Sequence, residues 1–349
     1  MLQKKYQNTK NMERSTQLSN TSIVNETTDM SRCREFNASA RLFFLVAYSL
    51  VFAVGLLLNG FILRFYFTRR QTLSKTLMIY LKNLTAADFI LSLSLLFYII
   101  NSTTSSMTIR QAYCNFGSKV FYLNMYASML FMAHIAYNRY LSVVHPLKAH
   151  SKTHILLTVR AAYIITTITW VFLIILLIAA FFTVSVNMKK NTASVPISCE
   201  GFRSSVASIP VKVTSTCLVA FFLSILIFLI CVYYRICRKL AEVQQNQQVS
   251  SDSTKFAKAS KKMMVLIIVF CVCFIPFHLV NLPYVFLGCH WSHVLHFLKD
   301  LTRVFTAFNV CLDPLIYVIF CKELSEQLKL FFVRKDTPTP SRVTEISLQ

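Results

Sequence analysis

CNFGSKVFYLNMYASMLFMAHIAYNRYLSVVHP, residues 114–146, decides how this chain is read. Its first twenty-odd residues are apolar enough to cross a bilayer, and the only charge among them is Lys119. A helix starting near Cys114 and rising about 1.5 Å per residue has crossed a hydrocarbon layer of about 30 Å by Arg139. An arginine at that depth is costly unless it faces protein or water, which makes it a functional candidate. The competing reading is an anchor that snorkels to the membrane edge. The rest of the chain has to decide between them.

Composition points the same way. The 349 residues are 55% hydrophobic and only 14% charged, with a mean hydropathy of +0.54. Soluble domains carry roughly 25% charged residues, so this chain is too apolar to be soluble. A formal net charge of +22, taken alone, would suggest nucleic acid. The basic residues, however, lie between and beside apolar runs, which suits anionic membrane lipids and an acidic partner and leaves no role for nucleic acid.

Outward from residues 114–146 lie further apolar segments, giving seven in all: about 42–67, 77–100, 113–142, 155–184, 210–236, 262–287 and 295–320. Each has the roughly 20 residues needed to span. Arg69, Arg70 and Lys75 follow the first and Lys148 and Lys152 the third. A basic stretch over 235–262, from Arg235 to Lys262, follows the fifth. The positive-inside rule makes these connections cytoplasmic and puts the N-terminus outside. Residues 1–41 are polar, with no apolar core of a cleavable signal, so the first span is expected to direct insertion. They hold the glycosylation acceptors Asn20, Asn25 and Asn37, which agree with an outside tail. Asn101 is a fourth acceptor between spans two and three, whereas Asn83 matches the triplet inside an apolar run and reads as chance. The expected architecture is an all-α membrane protein. It comprises a tail over 1–41, a seven-transmembrane helix bundle over 42–320, and a short amphipathic C-terminal helix with a polar tail over 321–349. In KELSEQLKLFF the apolar side chains share one helical face, as in a helix lying on the inner leaflet.

Eleven cysteines are sorted by this topology. Cys33, Cys114, Cys199 and Cys289 fall outside, where disulfides persist, and four cysteines permit three pairings. Cys114–Cys199 would tie the loop before span five to the head of span three, and Cys33–Cys289 the tail to the last outer loop. Within the spans, Asp88, Asn124, Ser128, Asn309 and Asp313 are polar at depth, and carboxylates there need a partner, a proton or an ion. Together they suit a small hard cation such as sodium; a water-filled hydrogen-bond network is the alternative. Pro276 and Pro314 each remove a helical hydrogen bond and are expected to kink their spans.

These residues resemble the rhodopsin-like G-protein-coupled receptors. The resemblance rests on seven spans, Asn59 in GLLLNGF, NLTAAD ending in Asp88, Cys114 with Cys199, Arg139, Trp170, CFIP (273–276) and DPLIY (313–317), and covers about residues 42–333. Within that family, IYLKNLTAADF, FYLNMY, CFIPFH and NVCLDPLIY are similar to the branch holding the platelet-activating-factor receptor and the purinergic nucleotide receptors. YNRY and PFHLVNLPY lean to the phospholipid-mediator side, FYLNMY and NVCLDP to the nucleotide side. The resemblance implies a plasma-membrane receptor, not an enzyme, that passes ligand binding to a heterotrimeric G protein and then to arrestin. Arg139, Tyr233, Phe274, Pro276, Asp313, Pro314 and Tyr317 would carry the conformational change. Asn138 stands where the family's usual acid precedes the arginine, so the resting ion pair is missing and basal signalling is expected to be raised.

Lys299 and Arg303 are four apart and share a helical face near the outer end of span seven. With Tyr122 and His278 they are expected to surround an anionic, phosphate-bearing ligand, arginine as a bidentate donor and lysine as a point charge. Competing readings are a Lys299–Asp300 pair and a His278 satisfied in the core. Asn281, a turn above His278, stands where many nucleotide receptors carry a basic residue. The favoured ligand is therefore a phospholipid of the platelet-activating-factor type, its chain against the apolar LVAFFLSILIF of span five, with a nucleotide as the alternative. A transporter is the rival from another class, but the seven spans show no inverted repeat. No HExxH, GxSxG or phosphate-binding glycine loop suggests an enzyme.

Overall fold

An apolar solvent offers backbone N–H and C=O groups no partners but one another, so each long apolar run closes into a helix. The computed structural model describes residues 38–68, 74–104, 106–144, 155–186, 208–245, 250–287 and 293–320. Cys33, Cys199, Cys289, Asn20, Asn25, Asn37 and the amphipathic segment from Lys322 lie outside the described residues. The spans are α1 (Ala38–Thr68), α2 (Lys75–Thr103), α3 (Met107–Val144), α4 (Val159–Val186), α5 (Ser208–Gln245), α6 (Ser250–Leu287) and α7 (His293–Phe320). All seven are long and apolar enough to cross a membrane. Ser74 caps α2 by accepting the Leu77 N–H, and a π-helical turn interrupts α3 at Tyr113–Gly117.

The helices pack in a ring, α1 against α2 and α7, α5 against α6, and α6 against α7, with α3 touching α2, α4, α5 and α6. In its most apolar stretch α3 buries 67% of its residues, against 17% for α4. Helix α3 is thus the axis of the bundle, while Ile164, Ile168, Ile175 and Phe182 of α4 face outward.

The prolines do not end their helices. α6 continues through Pro276 and Pro283, and α7 through Pro314. Proline lacks the N–H that the carbonyl four residues earlier would accept. For Pro314 that carbonyl belongs to Val310, and Asn59 of α1 supplies the missing donor, Nδ2 to O at 2.9 Å. Near Pro276, the hydroxyl of Thr306 in α7 donates to the Cys273 carbonyl at 3.1 Å. Trp170 Nε1 donates to Asn83 Oδ1 at 2.9 Å and fastens α4 to α2. Asn83, a chance glycosylation triplet in the sequence, is a structural acceptor.

The expected basic loop over 235–262 is shorter than its composition suggested. α5 runs on to Gln245 and α6 begins at Ser250. Arg238 and Lys239 both reach Glu242, at 3.5 and 3.1 Å. Such pairs help a helix persist where the apolar run has ended.

Candidate ligand and signalling sites

At the Cys114 end, Arg303 joins α7 to α3. Its Nε donates to the Tyr122 hydroxyl at 3.0 Å, and Nη2 donates to the same oxygen. Nη1 lies 3.4 Å from Asp300 Oδ1 one turn away, both side chains being less than one-fifth exposed. The guanidinium is held on two sides, and Tyr48, Ser94, Tyr98, Tyr113 and Ser118 line a small cavity beside it. The lining brings five hydroxyls beside one guanidinium, the donor types an oxyanion accepts from, with the Ser94 hydroxyl already donating to the Leu91 carbonyl at 2.7 Å. Lys299 leans the other way, its Nζ 3.6 Å from the centre of the Tyr284 ring on α6. Asp300, weighed as a partner of Lys299, reaches Arg303.

His278 lies apart from this pair. Nδ1–H donates to the Phe274 carbonyl at 2.8 Å, Tyr126 is 3.4 Å from Nε2, and Phe222 stacks on the ring at 3.9 Å. That is the satisfied core histidine of the competing reading. Asn281 is half-buried. Cys114 is disulfide-bonded, with its expected partner Cys199 outside the described residues. Asn101 sits in the last turns of α2, half-buried.

Midway through the bundle, the dispersed polar residues converge. Ser128 and Tyr317 donate to the two oxygens of Asp88 at 3.1 and 3.2 Å. Asn309 Nδ2 donates to Asp313 Oδ2 at 2.8 Å. Asn124 turns its amide N–H to the Val120 carbonyl. The atoms of this cluster left without a partner are all acceptors: Asn124 Oδ1, Asn309 Oδ1 and Asp313 Oδ1, each in a fully buried residue. A buried acceptor without a donor costs about 1–3 kcal/mol. Orphaned oxygens beside two carboxylates fit a small hard cation, which takes oxygen ligands.

At the opposite end, Arg139 has no ion pair among the described residues. Its guanidinium carbon lies 4.8 Å from the centre of the Phe320 ring, and Nε is buried without a hydrogen-bond partner. Asn138 is buried. Phe274 is fully buried, packed edge-on against Phe270. Tyr233 packs half-buried against the main core.

Sequence reasoning missed Tyr48, Tyr98 and Tyr113, Phe320, and His134, which stacks on Tyr80. Aromatics at helical spacing give no signal that separates them from packing residues. Only their approach from different helices marks them.

Comparison with known proteins adds an independent finding. The profile of the "7 transmembrane receptor (rhodopsin family)" matches residues 58–317. The chain is similar to purinoceptor 13 of Homo sapiens, 29% identical over 91% of this chain and 89% of that one. It is also similar to purinoceptor 14 of Bos taurus, 27% identical over 86% and 88% of the two chains. G-protein coupled receptor 87 of Mus musculus is 29% identical over 81% of this chain and 78% of its own.

Proposed function

This chain belongs to the rhodopsin family of seven-transmembrane receptors, and from that premise we propose that its ligand is a small phosphate-bearing anion received at Arg303. The observation that carries this is the guanidinium at the Cys114 end, braced by Tyr122 and surrounded by hydroxyls. We place that end outside the cell, with the tail over 1–41, and the Arg139 end against a heterotrimeric G protein and, after activation, arrestin. The agonist binds the active bundle better than the resting one and shifts the population between them. α6 then pivots near Pro276 and opens the Arg139 end.

Between the two ligand classes, the balance favours a nucleotide over the phospholipid expected from sequence. Two relatives are named purinoceptors. The α5 stretch meant to hold an alkyl chain is already divided: Phe222 and Ile225 pack inward, while Leu223, Ile227 and Phe228 face outward. The test is G-protein dissociation in cells lacking related receptors, against a panel of nucleotides and a panel of phospholipid mediators. A nucleotide response that Arg303→Gln removes supports the reading. An agonist whose response is untouched by that change would sink it.

We propose further that sodium occupies the cluster of Asp88, Asn124, Ser128, Asn309 and Asp313, where it would supply positive charge to two buried carboxylates. Sodium at ten times its dissociation constant stabilises the state that binds it by about 1.4 kcal/mol. Purified receptor is expected to melt a few degrees higher in sodium chloride than in N-methylglucamine chloride at equal ionic strength, and Asp88→Asn to abolish the difference. Identical melting of the parent protein in both salts would leave the carboxylates sharing a proton instead.

Asn138→Asp restores a carboxylate beside Arg139. Agonist-independent G-protein activation, at matched surface level, is expected to fall roughly two- to fivefold, the scale of an ion pair of 0.5–1 kcal/mol. A rise would overturn the assignment of Asn138 as the origin of raised basal signalling.

A further inference from the structure

Phe320 closes α7 with its ring almost fully buried, 2% exposed, and two cations from two other helices lie over it. Arg139 of α3 has its guanidinium carbon 4.8 Å from the ring centre, and Lys262 of α6 has its Nζ at 5.5 Å. Both distances are inside the range in which a cation is attracted by the negative face of an aromatic ring. No carboxylate of the described residues pairs with Arg139, and the residue before it is Asn138. The ring is therefore the group that faces this arginine where an anion would be expected.

We propose that Phe320 is the resting-state latch of this receptor, holding α3 and α6 together through cation–π contacts to Arg139 and Lys262 in place of an ion pair. The geometry fits a latch because the three residues come from the three helices whose separation opens that end of the bundle. It also sets the latch's strength. Two like charges share one quadrupole, and their mutual repulsion subtracts from what either contact gives. Such a latch releases more easily than a carboxylate–guanidinium pair, in keeping with a receptor whose basal signalling is raised. When α6 moves, Lys262 leaves the ring and Arg139 is freed toward an acidic partner.

The inference rests on the proposed movement of α6, so the test reads two quantities in full-length receptor. One is agonist-independent G-protein activation against a panel of G proteins. The other is hydrogen–deuterium exchange of the Arg139 end of α6 in purified protein. Phe320→Leu keeps an apolar side chain and removes the quadrupole. It is expected to raise basal activation roughly three- to tenfold and to speed exchange there. Phe320→Tyr keeps the aromatic face and is expected to stay near the parent in both. Lys262→Gln should act in the direction of Phe320→Leu, and Lys262→Arg should restore the parent behaviour, which covers the case in which the leucine variant folds poorly. Equal effects of leucine and tyrosine, or unchanged exchange in both Phe320→Leu and Lys262→Gln, would reduce Phe320 to a packing residue. Faster exchange in Phe320→Leu without any G-protein response would support the latch and count against the coupling reading.

Discussion

Arg303→Gln is expected to weaken the response to an anionic agonist by at least about thirtyfold. Truncating one member of a buried charge-assisted contact costs about 2–5 kcal/mol, and every 1.4 kcal/mol is tenfold. The arginine is suited to this role because its planar fork offers donors on two edges, and the structure uses both: Nε and Nη2 meet Tyr122, and Nη1 meets Asp300. An incoming phosphate has to share or replace these partners, and glutamine can do neither as a cation. Tyr122→Phe separates bracing from binding. It removes the hydroxyl but keeps the ring, which packs on Phe277 at 5.8 Å, so its loss should be smaller, about tenfold. The measurement is a concentration–response curve for the active compound from the two panels, at matched surface expression. A shift below threefold for Arg303→Gln, with Tyr122→Phe equal or larger, would place the anion elsewhere.

Gly55→Val is expected to deplete folded receptor from the cell surface. A Cβ at residue 55 would overlap the Val310 side chain and come within 2.8 Å of Ser92 Oγ. α1 and α7 approach this closely because Asn59, one turn on from Gly55, donates to the Val310 carbonyl. Separating the helices would stretch that bond and leave the carbonyl preceding Pro314 without a donor. Overpacking costs about 1–3 kcal/mol even when neighbours adjust, and here the lost hydrogen bond adds about 1–3 kcal/mol. Gly55→Ala should cost less, and Val310→Ala should rescue it, since the removed methyl groups are those the new Cβ would meet. Melting temperatures of the single and double alanine variants close the cycle. Strict additivity, with no rescue, would mean that this contact does not set the helix spacing.

The gap between sequence and structure is seen in particular residues. Asp88, Asn124, Ser128, Asn309 and Asp313 were legible as a cluster because each is a polar group in an apolar run, where burial demands an explanation. Arg303 stood out for the same reason. Phe320 and Tyr98 did not, because among 30 phenylalanines and 15 tyrosines nothing in one dimension separates a cation's partner from a lipid-facing ring. His278 misled for the opposite reason: a histidine invites a functional reading, yet its two nitrogens and its face are used up by Phe274, Tyr126 and Phe222.

By itself the sequence determined the seven helices and the central place of residues 114–146. It did so because the length and apolarity of each span are local quantities to which a bilayer responds directly. The tertiary structure alone decided which partner each polar or charged group takes: Asn59 for the carbonyl that Pro314 leaves open, Tyr122 for Arg303, and Phe320 for Arg139. Those pairings join residues 181 to 251 positions apart. They depend on how helices approach in three dimensions, where a few ångströms separate a hydrogen bond from an orphaned atom.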